Sequence, residues 1–278
     1  MRPAEVLRRA AGYLSRHDVD SPLPTAEVLL ARILDTDRAG LYSRGEGLST
    51  AEAKQFGRAL CQRCVGVPLQ HLTGEQAFRS LTLLVRPGVF IPRPETEILV
   101  EFALSSIANI PAPVVVDVGT GTGAIGLAIK SERSEARVLA IDISADAVAL
   151  ARENADRLAL DVFVVEGDLL DPESLSHLGA LDLIVSNPPY VSADELETLP
   201  PDVRADPSTA LVGGIELYER LFSQGATVLR AGGAVVVEIG ETQGDAVRAA
   251  ASAAGLIDVT LEQDLAGRDR VVHARKAI

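Results

Sequence analysis

Short apolar runs and helical patterns alternate along the chain from Val114 onward, and this alternation constrains the fold more than any other feature. Such runs, rich in β-branched residues, are typical of strands that are buried on both faces. The predicted strands are Val114–Val118, Arg137–Ile141, Val162–Val165, Leu181–Val185, Gly233–Ile239, Ile257–Glu262 and Val271–Ala274. Strands that alternate with helices predict an α/β fold, here a doubly wound and mostly parallel sheet of seven strands with an antiparallel edge.

Four helices and one long connection are predicted between these strands. The helices are Ala124–Lys130, residues 145–158 after the N-cap Ser144, Ile215–Leu229 and Asp245–Ala254. The connection, Val191–Gly214, is polar and contains prolines. Because connections of this length are usually functional lids or disordered segments, we predict a lid at residues 191–214.

The first 72 residues contain helical patterns only. Pro3 and Pro24 suit the first turns of two helices, and Ser49-Thr50-Ala51-Glu52 is a capping-box pattern that starts a third, longer helix. Short helices are expected near Arg38–Tyr42 and Pro68–Leu72. A helical bundle of this size is too small for an independent enzyme and suits the recognition of a partner.

An alternating pattern separates this bundle from the sheet. Leu81, Leu83 and Val85 alternate with other residues, and the turn signal Arg86-Pro87-Gly88 leads into Val89-Phe90-Ile91. We therefore predict a β-hairpin that links the two parts. The predicted organisation is a helical bundle in residues 1–73, a hairpin linker in residues 74–93 and the sheet domain in residues 94–278.

Composition and the N-terminal residues argue against a membrane protein. Of the 278 residues, 47% are hydrophobic and 23% are charged, and no apolar run is long enough to cross a bilayer. Residues 1–9 carry charges where a signal peptide has its apolar centre. We expect a cytoplasmic protein with no membrane partner. Cys61 and Cys64 are expected to be reduced thiols, since no further metal ligand lies near them in sequence.

The net charge of −13 is spread unevenly along the chain. Residues 1–92 carry 12 Lys and Arg against 9 Asp and Glu, whereas residues 93–278 carry 14 against 30. Binding to nucleic acid depends on Lys and Arg side chains that neutralise phosphates. The acidic second part therefore argues against stable nucleic-acid binding.

Residues Gly119-Thr120-Gly121-Thr122-Gly123, the glycine loop, follow the first predicted strand and open a helix. Glycines let backbone N–H groups and a helix N-terminus approach a ligand closely. Asp142 ends the next strand, where an acid can accept hydrogen bonds from ribose hydroxyls, and Asp168 follows the third strand, where it could accept from an adenine amine. The alternatives are a helix-start role for Asp142 and no ligand role for Asp168.

A glycine loop followed by an acid also describes NAD-binding proteins. Here the spacing is G-x-G-x-G instead of G-x-G-x-x-G, and Asp117 lies within the first strand. Both details favour S-adenosylmethionine over NAD.

The strand Leu181–Val185 runs through Ser186 into Asn187-Pro188-Pro189-Tyr190, which we call the NPPY loop. The side-chain carbonyl of Asn187 and the backbone carbonyl of Pro188 can both accept hydrogen bonds from one NH2 group. The prolines stiffen the loop, and Tyr190 offers a ring face to a flat group. A turn in which the prolines merely end a strand is the alternative. The pattern resembles that of S-adenosylmethionine-dependent methyltransferases acting on planar amino or amide nitrogens.

Four stretches together resemble one bacterial family. They are Gly66-Val67-Pro68-Leu69-Gln70-His71-Leu72-Thr73-Gly74, Val89-Phe90-Ile91-Pro92-Arg93-Pro94-Glu95-Thr96-Glu97, Asp117-Val118-Gly119-Thr120-Gly121-Thr122-Gly123 and Ser186-Asn187-Pro188-Pro189-Tyr190. The family, called HemK or PrmC, methylates the glutamine of the Gly-Gly-Gln motif in class 1 peptide chain release factors. The stretch from Ile91 to Glu97 is the most specific, because the glycine loop and the NPPY loop are shared with other methyltransferases.

The resemblance implies a fold, an activity and a set of site residues. The fold is an N-terminal helical bundle, a hairpin linker and a seven-stranded Rossmann-like domain that binds S-adenosylmethionine. The implied catalytic residues are Asn187, Pro188 and Tyr190. The implied cofactor-binding residues are Gly119, Thr120, Gly121, Thr122, Gly123, Asp142, Asp168, Leu169 and Asn187. The implied substrate-binding residues are Asn187, Pro188, Pro189, Tyr190, Phe90 and Arg93, although residue patterns alone would place Arg93 before an ordinary proline-started helix.

Two stretches depart from the family pattern. Members often have an aromatic residue where this chain has Leu169, which affects the packing expected around adenine. Members often show Gly-Gly-x-Asp-Gly where this chain has Gly213-Gly214-Ile215-Glu216-Leu217, which bears on the shape of the lid.

Two other substrates remain open. A related glutamine methyltransferase could act on a ribosomal protein, which Arg93-Pro94-Glu95-Thr96-Glu97 disfavours, and an adenine-amine methyltransferase of RNA or DNA would use the same NPPY loop. Amide methylation needs no metal, and the four histidines lie outside the catalytic motifs: His17, His71, His177 and His273. We expect a monomer whose partners are class 1 release factors.

Overall fold

The computed structural model describes residues 2–168 and 180–278, which form two compact units. The first unit contains the residues up to Glu75 together with Leu199–Ala205. The second contains Gln76–Thr198 and Asp206–Ile278. The chain therefore leaves the second unit and re-enters it within the connection that follows the NPPY loop.

The first unit is built from helices. They are α1 (Pro3–Ser15), α2 (Pro22–Ile33), α3 (Arg38–Ser43), α4 (Thr50–Cys64) and α5 (Leu69–Thr73). The predicted capping box starts α4: the Ser49 hydroxyl accepts from the N–H of Glu52 at 3.2 Å, and the Glu52 carboxylate accepts from the N–H of Ser49 at 2.6 Å. The helix-only prediction for this part of the chain is confirmed.

One apolar cluster holds these helices together. Its fully or nearly buried members include Leu7, Leu14, Leu29, Leu30, Leu41 and Phe56. Each buried side chain of this size contributes about 1.5–3 kcal/mol, so the cluster gives the small bundle its own core.

The predicted hairpin exists and its predicted strand at Leu81, Leu83 and Val85 is confirmed as β2 (Leu81–Leu84), but the predicted partner strand at residues 89–91 is wrong. The two-stranded sheet pairs β1 (Glu75–Phe78) with β2. The hairpin turn therefore falls at Arg79, whose φ of 50° is left-handed. Arg86-Pro87-Gly88 does form a turn, in which the N–H of Val89 donates to the carbonyl of Arg86 at 3.4 Å, but this turn follows β2 and does not join the two strands. Residues 89–91 form no strand, because the N–H of Ile91 donates to the Asp206 carboxylate at 3.1 Å instead of to a neighbouring strand.

The second unit contains the predicted seven-stranded sheet. Its strands are β3 (Val114–Val118), β4 (Arg137–Asp142), β5 (Val162–Glu166), β6 (Leu181–Ser186), β7 (Leu229–Glu238), β8 (Ile257–Gln263) and β9 (Asp269–Arg275). Their order is β5-β4-β3-β6-β7-β9-β8, with β3 to β7 parallel and β9 antiparallel to both of its neighbours. The predicted fold class is confirmed, although β7 begins at Leu229 and not at Gly233.

Helices cover both faces of the sheet. They are α6 (Thr96–Ser106), α7 (Ala124–Glu132), α8 (Ala145–Leu158), α10 (Ile215–Val228) and α11 (Gly244–Ala253), and a further short helix, α9 (Ser208–Leu211), lies within the 191–214 connection. Successive strand residues point to opposite faces, so Val115 and Leu183 pack with α6 and α7, whereas Val116 and Ile184 pack with α10 and α11.

The predicted lid, residues 191–214, has structure of its own. A 3-10 turn covers Leu196–Thr198, and Val191 forms a parallel bridge with Val212. Among residues 2–168 and 180–278, no helix combines the length and the apolar character that a membrane span requires.

Candidate active site

The parallel register brings three loops to one edge of the sheet. Val118, the last residue of β3, pairs with Ile141 of β4 and with Ser186 of β6. The residues that come next on the three strands are the start of the glycine loop, Asp142 and Asn187. Ligands of parallel sheets bind at this carboxyl edge. The predicted cofactor motifs and the NPPY loop therefore begin at the same level.

The glycine loop has a backbone that favours glycine at three positions. Gly119, Gly121 and Gly123 have φ of 66°, 55° and 86°, in the left-handed region. At Gly123 a β carbon would also lie 2.8 Å from Cδ1 of Leu127. Because α7 starts at the next residue, the loop leads directly into a helix N-terminus, as predicted from the sequence.

Asp117, a residue of β3, stabilises the glycine loop by accepting two hydrogen bonds. Its Oδ2 accepts hydrogen bonds from the Thr120 hydroxyl at 2.6 Å and from the N–H of Gly126 at 2.9 Å. Its Oδ1 is buried and has no hydrogen-bond partner in the part of the chain that the structure describes. Burial raises the pKa of Asp117 to about 6. The carboxylate thus ties the loop to α7 from inside the sheet.

Asp142 ties the glycine loop to β4. One carboxylate oxygen accepts from the N–H of Gly121 at 2.8 Å, and the other accepts from the N–H of Ser144 at 2.9 Å. Burial raises the pKa of this half-buried acid. The Ser144 side chain, which accepts from the N–H of Ala147, caps α8. Asp142 is therefore oriented by two backbone groups, and each oxygen keeps a lone pair for a ligand.

Ile143 was not identified from the sequence. Its side chain is 69% exposed although it follows Asp142 directly. The only signal was an apolar residue placed between the acid and the helix cap.

Asp168 lies at the surface and forms an ion pair with Arg220 of α10 at 2.6 Å. Exposed ion pairs contribute little to stability. The contact between Asp168 and adenine stays a prediction, because the ion pair with Arg220 neither requires nor excludes it. Leu169 lies outside the described residues.

Hydrogen bonds fix the NPPY loop at both of its ends. Nδ2 of Asn187 donates to the hydroxyl of Thr96, the first residue of α6, at 3.2 Å. Oδ1 of Asn187 has no partner within residues 2–168 and 180–278. At the other end, the backbone carbonyl of Tyr190 accepts a hydrogen bond from Nε2 of Gln243 at 3.0 Å. The phenol hydroxyl of Tyr190 donates to the Glu238 carboxylate at 3.3 Å. The side-chain carbonyl of Asn187 is thus the end of the amide that remains available.

Glu238 lies at the centre of a buried polar group behind the NPPY loop. It ends β7 with 1% of its surface exposed. Burial raises the pKa of Glu238 to about 7, against the opposing effects of the positive charge of Arg270 and the hydrogen bond from Tyr190. Burial also raises the pKa of Tyr190. We call Thr96, Tyr190, Glu238 and Arg270 the Glu238 cluster; the only sequence signal for it was an acid at the end of an apolar run.

Phe90 and Arg93 lie together in a separate contact. The Arg93 guanidinium stacks over the Phe90 ring at 5.3 Å from the ring centre, and it forms an ion pair with the buried Asp206. Asp206 also accepts from the N–H of Ile91. Arg93, stacked on Phe90, therefore anchors the later part of the 191–214 connection through Asp206. The role of Arg93 and Phe90 in binding substrate stays a prediction. Asp206 was missed because 113 residues separate it from Arg93.

Within residues 2–168 and 180–278, no three His, Cys, Asp or Glu side chains converge as metal ligands would. Cys61 and Cys64 are free thiols.

Two family models match the chain. The PrmC N-terminal domain matches residues 5–74, and the methyltransferase small domain matches residues 80–199. Full-length relatives agree. The release factor glutamine methyltransferase of Deinococcus radiodurans is 39% identical over 100% of this chain and 99% of its own length. The chain belongs to the release factor glutamine methyltransferase family.

Two further members of the family show the same extent of similarity. The Moorella thermoacetica protein is 41% identical over 96% of this chain and 95% of its own length. The Escherichia coli K12 protein is 37% identical over 97% of both chains. The resemblance predicted from four motifs is therefore confirmed along the whole chain, and the protein is a methyltransferase.

Solved structures support the fold alone. The hMettl16 catalytic domain in complex with an RNA hairpin has a TM-score of 0.57 at 16% identity and covers 83% of this chain and 82% of that one. A Thermus thermophilus 16S rRNA N2 G1207 methyltransferase in complex with AdoMet and guanosine has a TM-score of 0.54 at 19% identity, covering 73% of this chain and 49% of that one. Methyltransferases of this fold generally use S-adenosylmethionine.

Proposed function

We propose that this chain transfers the methyl group of S-adenosylmethionine to the side-chain amide nitrogen of the glutamine in the Gly-Gly-Gln motif of class 1 release factors. The observation that carries the proposal is the orientation of Asn187. Its Nδ2 is engaged by Thr96, so its carbonyl oxygen is left at the sheet edge beside the glycine loop. Relatives that align over the whole chain and are named release factor glutamine methyltransferases support the choice of substrate.

The residues at the sheet edge fit S-adenosylmethionine, whose sulfonium supplies an electrophilic methyl group. The glycine loop leaves space beside backbone N–H groups and the start of α7. Asp142 keeps acceptor capacity for the ribose hydroxyls. The exposed side chain of Ile143 supplies an apolar surface next to Asp142, suited to the flat adenine ring. Asp168 and Leu169 complete the proposed adenine site.

The NPPY loop meets the chemical demand of amide methylation. An amide nitrogen is a weak nucleophile because its lone pair is delocalised into the carbonyl group. Oδ1 of Asn187 and the backbone carbonyl of Pro188 accept its two N–H groups, which orients the nitrogen and stabilises the positive charge that develops on it. Pro189 stiffens the loop, and Tyr190 presents its ring to the amide plane. The nitrogen loses its proton after transfer, so no strong base is required.

The two parts of the chain have separate roles in this proposal. The helical bundle, residues 1–73 with Leu199–Ala205 added, contacts the body of the release factor. Residues 74–93 link the parts, residues 94–278 carry out the transfer, and Phe90 and Arg93 contribute to the substrate side of the site. The enzyme acts as a monomer and binds no nucleic acid stably.

The test is methyl transfer from labelled S-adenosylmethionine into purified release factors. We expect label in the wild-type factor and none in a factor whose Gly-Gly-Gln glutamine is replaced by alanine. Ribosomal proteins and RNA serve as competing acceptors. Label that enters the alanine variant, or that prefers either competitor, would contradict the assigned substrate while leaving the methyltransferase activity intact.

A further inference from the structure

The prolines of the NPPY loop deprive it of backbone donors. Pro188 and Pro189 have no N–H, so neither residue can tie the loop to a neighbouring segment through its backbone nitrogen. The carbonyl of Pro188 nevertheless has to meet the substrate amide in a fixed direction, because a misplacement of about 1 Å can cost about a hundredfold in rate. The end of the loop must therefore be fixed through carbonyl groups or side chains.

Gln243 fixes one of these carbonyl groups. Its Nε2 donates a hydrogen bond to the backbone carbonyl of Tyr190 at 3.0 Å, across 53 residues of the chain. Its Oε1 accepts from the N–H of Gly240 at 3.1 Å, and the Tyr218 hydroxyl lies 3.4 Å from the same oxygen. Gln243 thus connects the last residue of the NPPY loop to the turn that follows β7.

Only one orientation of the Gln243 amide satisfies both of its backbone contacts. The N–H of Gly240 can only donate a hydrogen bond, and the carbonyl of Tyr190 can only accept one. If the amide were turned by 180°, two donors would oppose each other at Gly240 and two acceptors at Tyr190. The donor end of the amide therefore faces Tyr190. This direction does not depend on the protonation of any side chain, because both partners are backbone groups.

The helix that begins beside Gln243 does not account for these contacts. Gln243 is the N-cap residue of α11, a position where a Ser, Thr, Asp or Asn side chain usually accepts from an N–H of the first turn. The Gln243 side chain forms no such hydrogen bond. Gly240 leaves room for its other contacts, since a β carbon there would lie 3.1 Å from Oε1 of Gln243 and 3.4 Å from the Tyr190 ring. The side chain therefore serves the NPPY loop and not the helix.

Tyr190 is consequently held at two points. Gln243 binds its carbonyl, and its phenol hydroxyl donates to the Glu238 carboxylate at 3.3 Å. The ring cannot turn about the backbone without breaking one of these bonds. Since the proline ring fixes φ of Pro189, few backbone rotations remain between this anchor and the Pro188 carbonyl.

We infer that Gln243 is a positioning residue for methyl transfer: it fixes the Tyr190 carbonyl and thereby aims the Pro188 carbonyl at the substrate amide. The inference rests on the proposed function and extends it by a residue that touches no reacting atom. Gln243 reaches the site from the start of α11, far from the NPPY loop in sequence.

The test compares Gln243→Met and Gln243→Glu with the wild type in methyl transfer to a whole release factor at pH 8. Gln243→Met keeps the length of the side chain but forms neither hydrogen bond, and we expect kcat to fall about tenfold, the upper end of the usual worth of one hydrogen bond. Gln243→Glu keeps an acceptor for the Gly240 N–H, but its carboxylate opposes the Tyr190 carbonyl, so it should be at least as slow.

Two controls separate positioning from general damage. The KM for the release factor and the dissociation constant of S-adenosylhomocysteine, measured by calorimetry, should stay within about twofold of the wild type in both variants. Gln263→Met is the matched substitution: it removes an exposed glutamine hydrogen bond, from Nε2 to Asp269 at 3.0 Å, and should leave kcat unchanged.

Carbon NMR of the Tyr190 carbonyl reports the hydrogen bond itself. The chain has four tyrosines, so labelling of tyrosine carbonyl carbons gives four signals, and Tyr190→Phe identifies the signal of Tyr190 by removing it. We expect this signal to move in Gln243→Met and to stay in place in Gln263→Met. The value of kcat should follow the signal, so each Gln243 variant that moves it should be slow.

Three results would overturn the inference. The first is an unmoved Tyr190 carbonyl signal in Gln243→Met, which needs no substrate and can be obtained even if the wild type fails to methylate release factors. The second is a wild-type kcat in a Gln243 variant whose signal has moved. The third is a loss of cofactor binding that matches the loss of kcat. Failure of the wild type to methylate release factors overturns the proposed function and is seen before any variant is compared.

Discussion

The α carbon of Gly213 faces the backbone carbonyl of Pro189 so closely that a β carbon there would lie 2.1 Å from the carbonyl oxygen. Backbone atoms cannot give way as the end of a flexible side chain can. The N–H of Gly213 also donates to the carbonyl of Val191 at 3.0 Å, which holds the two segments together. The end of the 191–214 connection, at Gly213, therefore packs directly against the backbone of the NPPY loop.

Gly213→Ala should displace the NPPY loop and reduce methyl transfer more than it reduces binding of S-adenosylmethionine. The glycine loop and Asp142 lie on other strands and keep their hydrogen bonds. Parallel turnover and calorimetry assays measure the two effects. Gly57→Ala is the control, because a β carbon at Gly57 meets nothing within 4 Å, and in mid-helix it should stabilise the protein by about 0.5–1 kcal/mol. Equal losses of turnover and cofactor binding would refute the expectation.

Asn187→Ala should lower the rate of methyl transfer by a few hundred-fold and leave cofactor affinity largely intact. Removal of one pre-aimed polar contact to the transition state typically costs about 2.7–4 kcal/mol. Single-turnover kinetics with a release factor report the chemical step directly. Near-normal turnover would exclude the NPPY loop from the chemistry.

Asp142→Ala should weaken binding of S-adenosylmethionine by about 1.5–3 kcal/mol, the usual worth of hydrogen bonds to a charged group. The variant also removes the acceptor of the Gly121 N–H. Asp146→Ala, an exposed acid in the first turn of α8, is the matched control and should bind the cofactor normally. Calorimetry of both variants with S-adenosylmethionine and with NADH decides whether the glycine loop has been assigned correctly; binding of NADH alone would show that it has not.

A whole release factor should be a far better substrate than a short Gly-Gly-Gln peptide. On the proposed function, the peptide reaches only the NPPY loop, whereas the folded factor gains a second contact with the helical bundle and so a higher effective concentration of its glutamine. The ratio of kcat/KM for the two substrates measures the gain. Similar values of kcat/KM for the two substrates would show that the helical bundle takes no part in substrate recognition. Deletion of the first 72 residues is a less clean test, because Leu199–Ala205 packs with them.

Glu238→Gln should raise the free energy of unfolding at pH 8. The ordinary glutamate value is 4.5, and burial raises the pKa of Glu238 in the folded state to about 7. The folded protein therefore binds this proton more tightly than the unfolded chain does, and wild-type stability falls as the pH rises through the window between these values. Because glutamine carries no charge, the variant avoids burying one. Its free energy of unfolding at pH 8 should exceed that of the wild type by up to about 3 kcal/mol. Urea unfolding should show the gain disappearing below the ordinary glutamate pKa; a gain that is constant with pH would contradict this origin.

The strands and the edge-forming motifs could be predicted because their signals are local. Leu181–Val185 is a continuous apolar run, and Asn187 follows it within two residues, so the position of the NPPY loop at a strand end required no knowledge of tertiary contacts. The glycine loop was predicted in the same way, from the apolar run of β3 and the glycine spacing after it.

The contacts that set the site could not be predicted in this way, because each joins distant parts of the chain. Thr96 meets Asn187 across 91 residues, and Asp206 meets Ile91 across 115. The second contact also explains the wrong hairpin. Residues 89–91 have the composition of a strand, but Asp206 takes the hydrogen bond that a neighbouring strand would have received.

The first unit is discontinuous in sequence, and this affects the order in which the protein can be completed during synthesis. Leu199 follows Glu75 by 124 residues. At typical elongation rates the ribosome needs on the order of ten seconds to make that stretch. Strands β1 to β6 are synthesised within the same interval. The helical bundle thus spends this time without its last segment, and it acquires Leu199–Ala205 only after most of the catalytic sheet has left the ribosome.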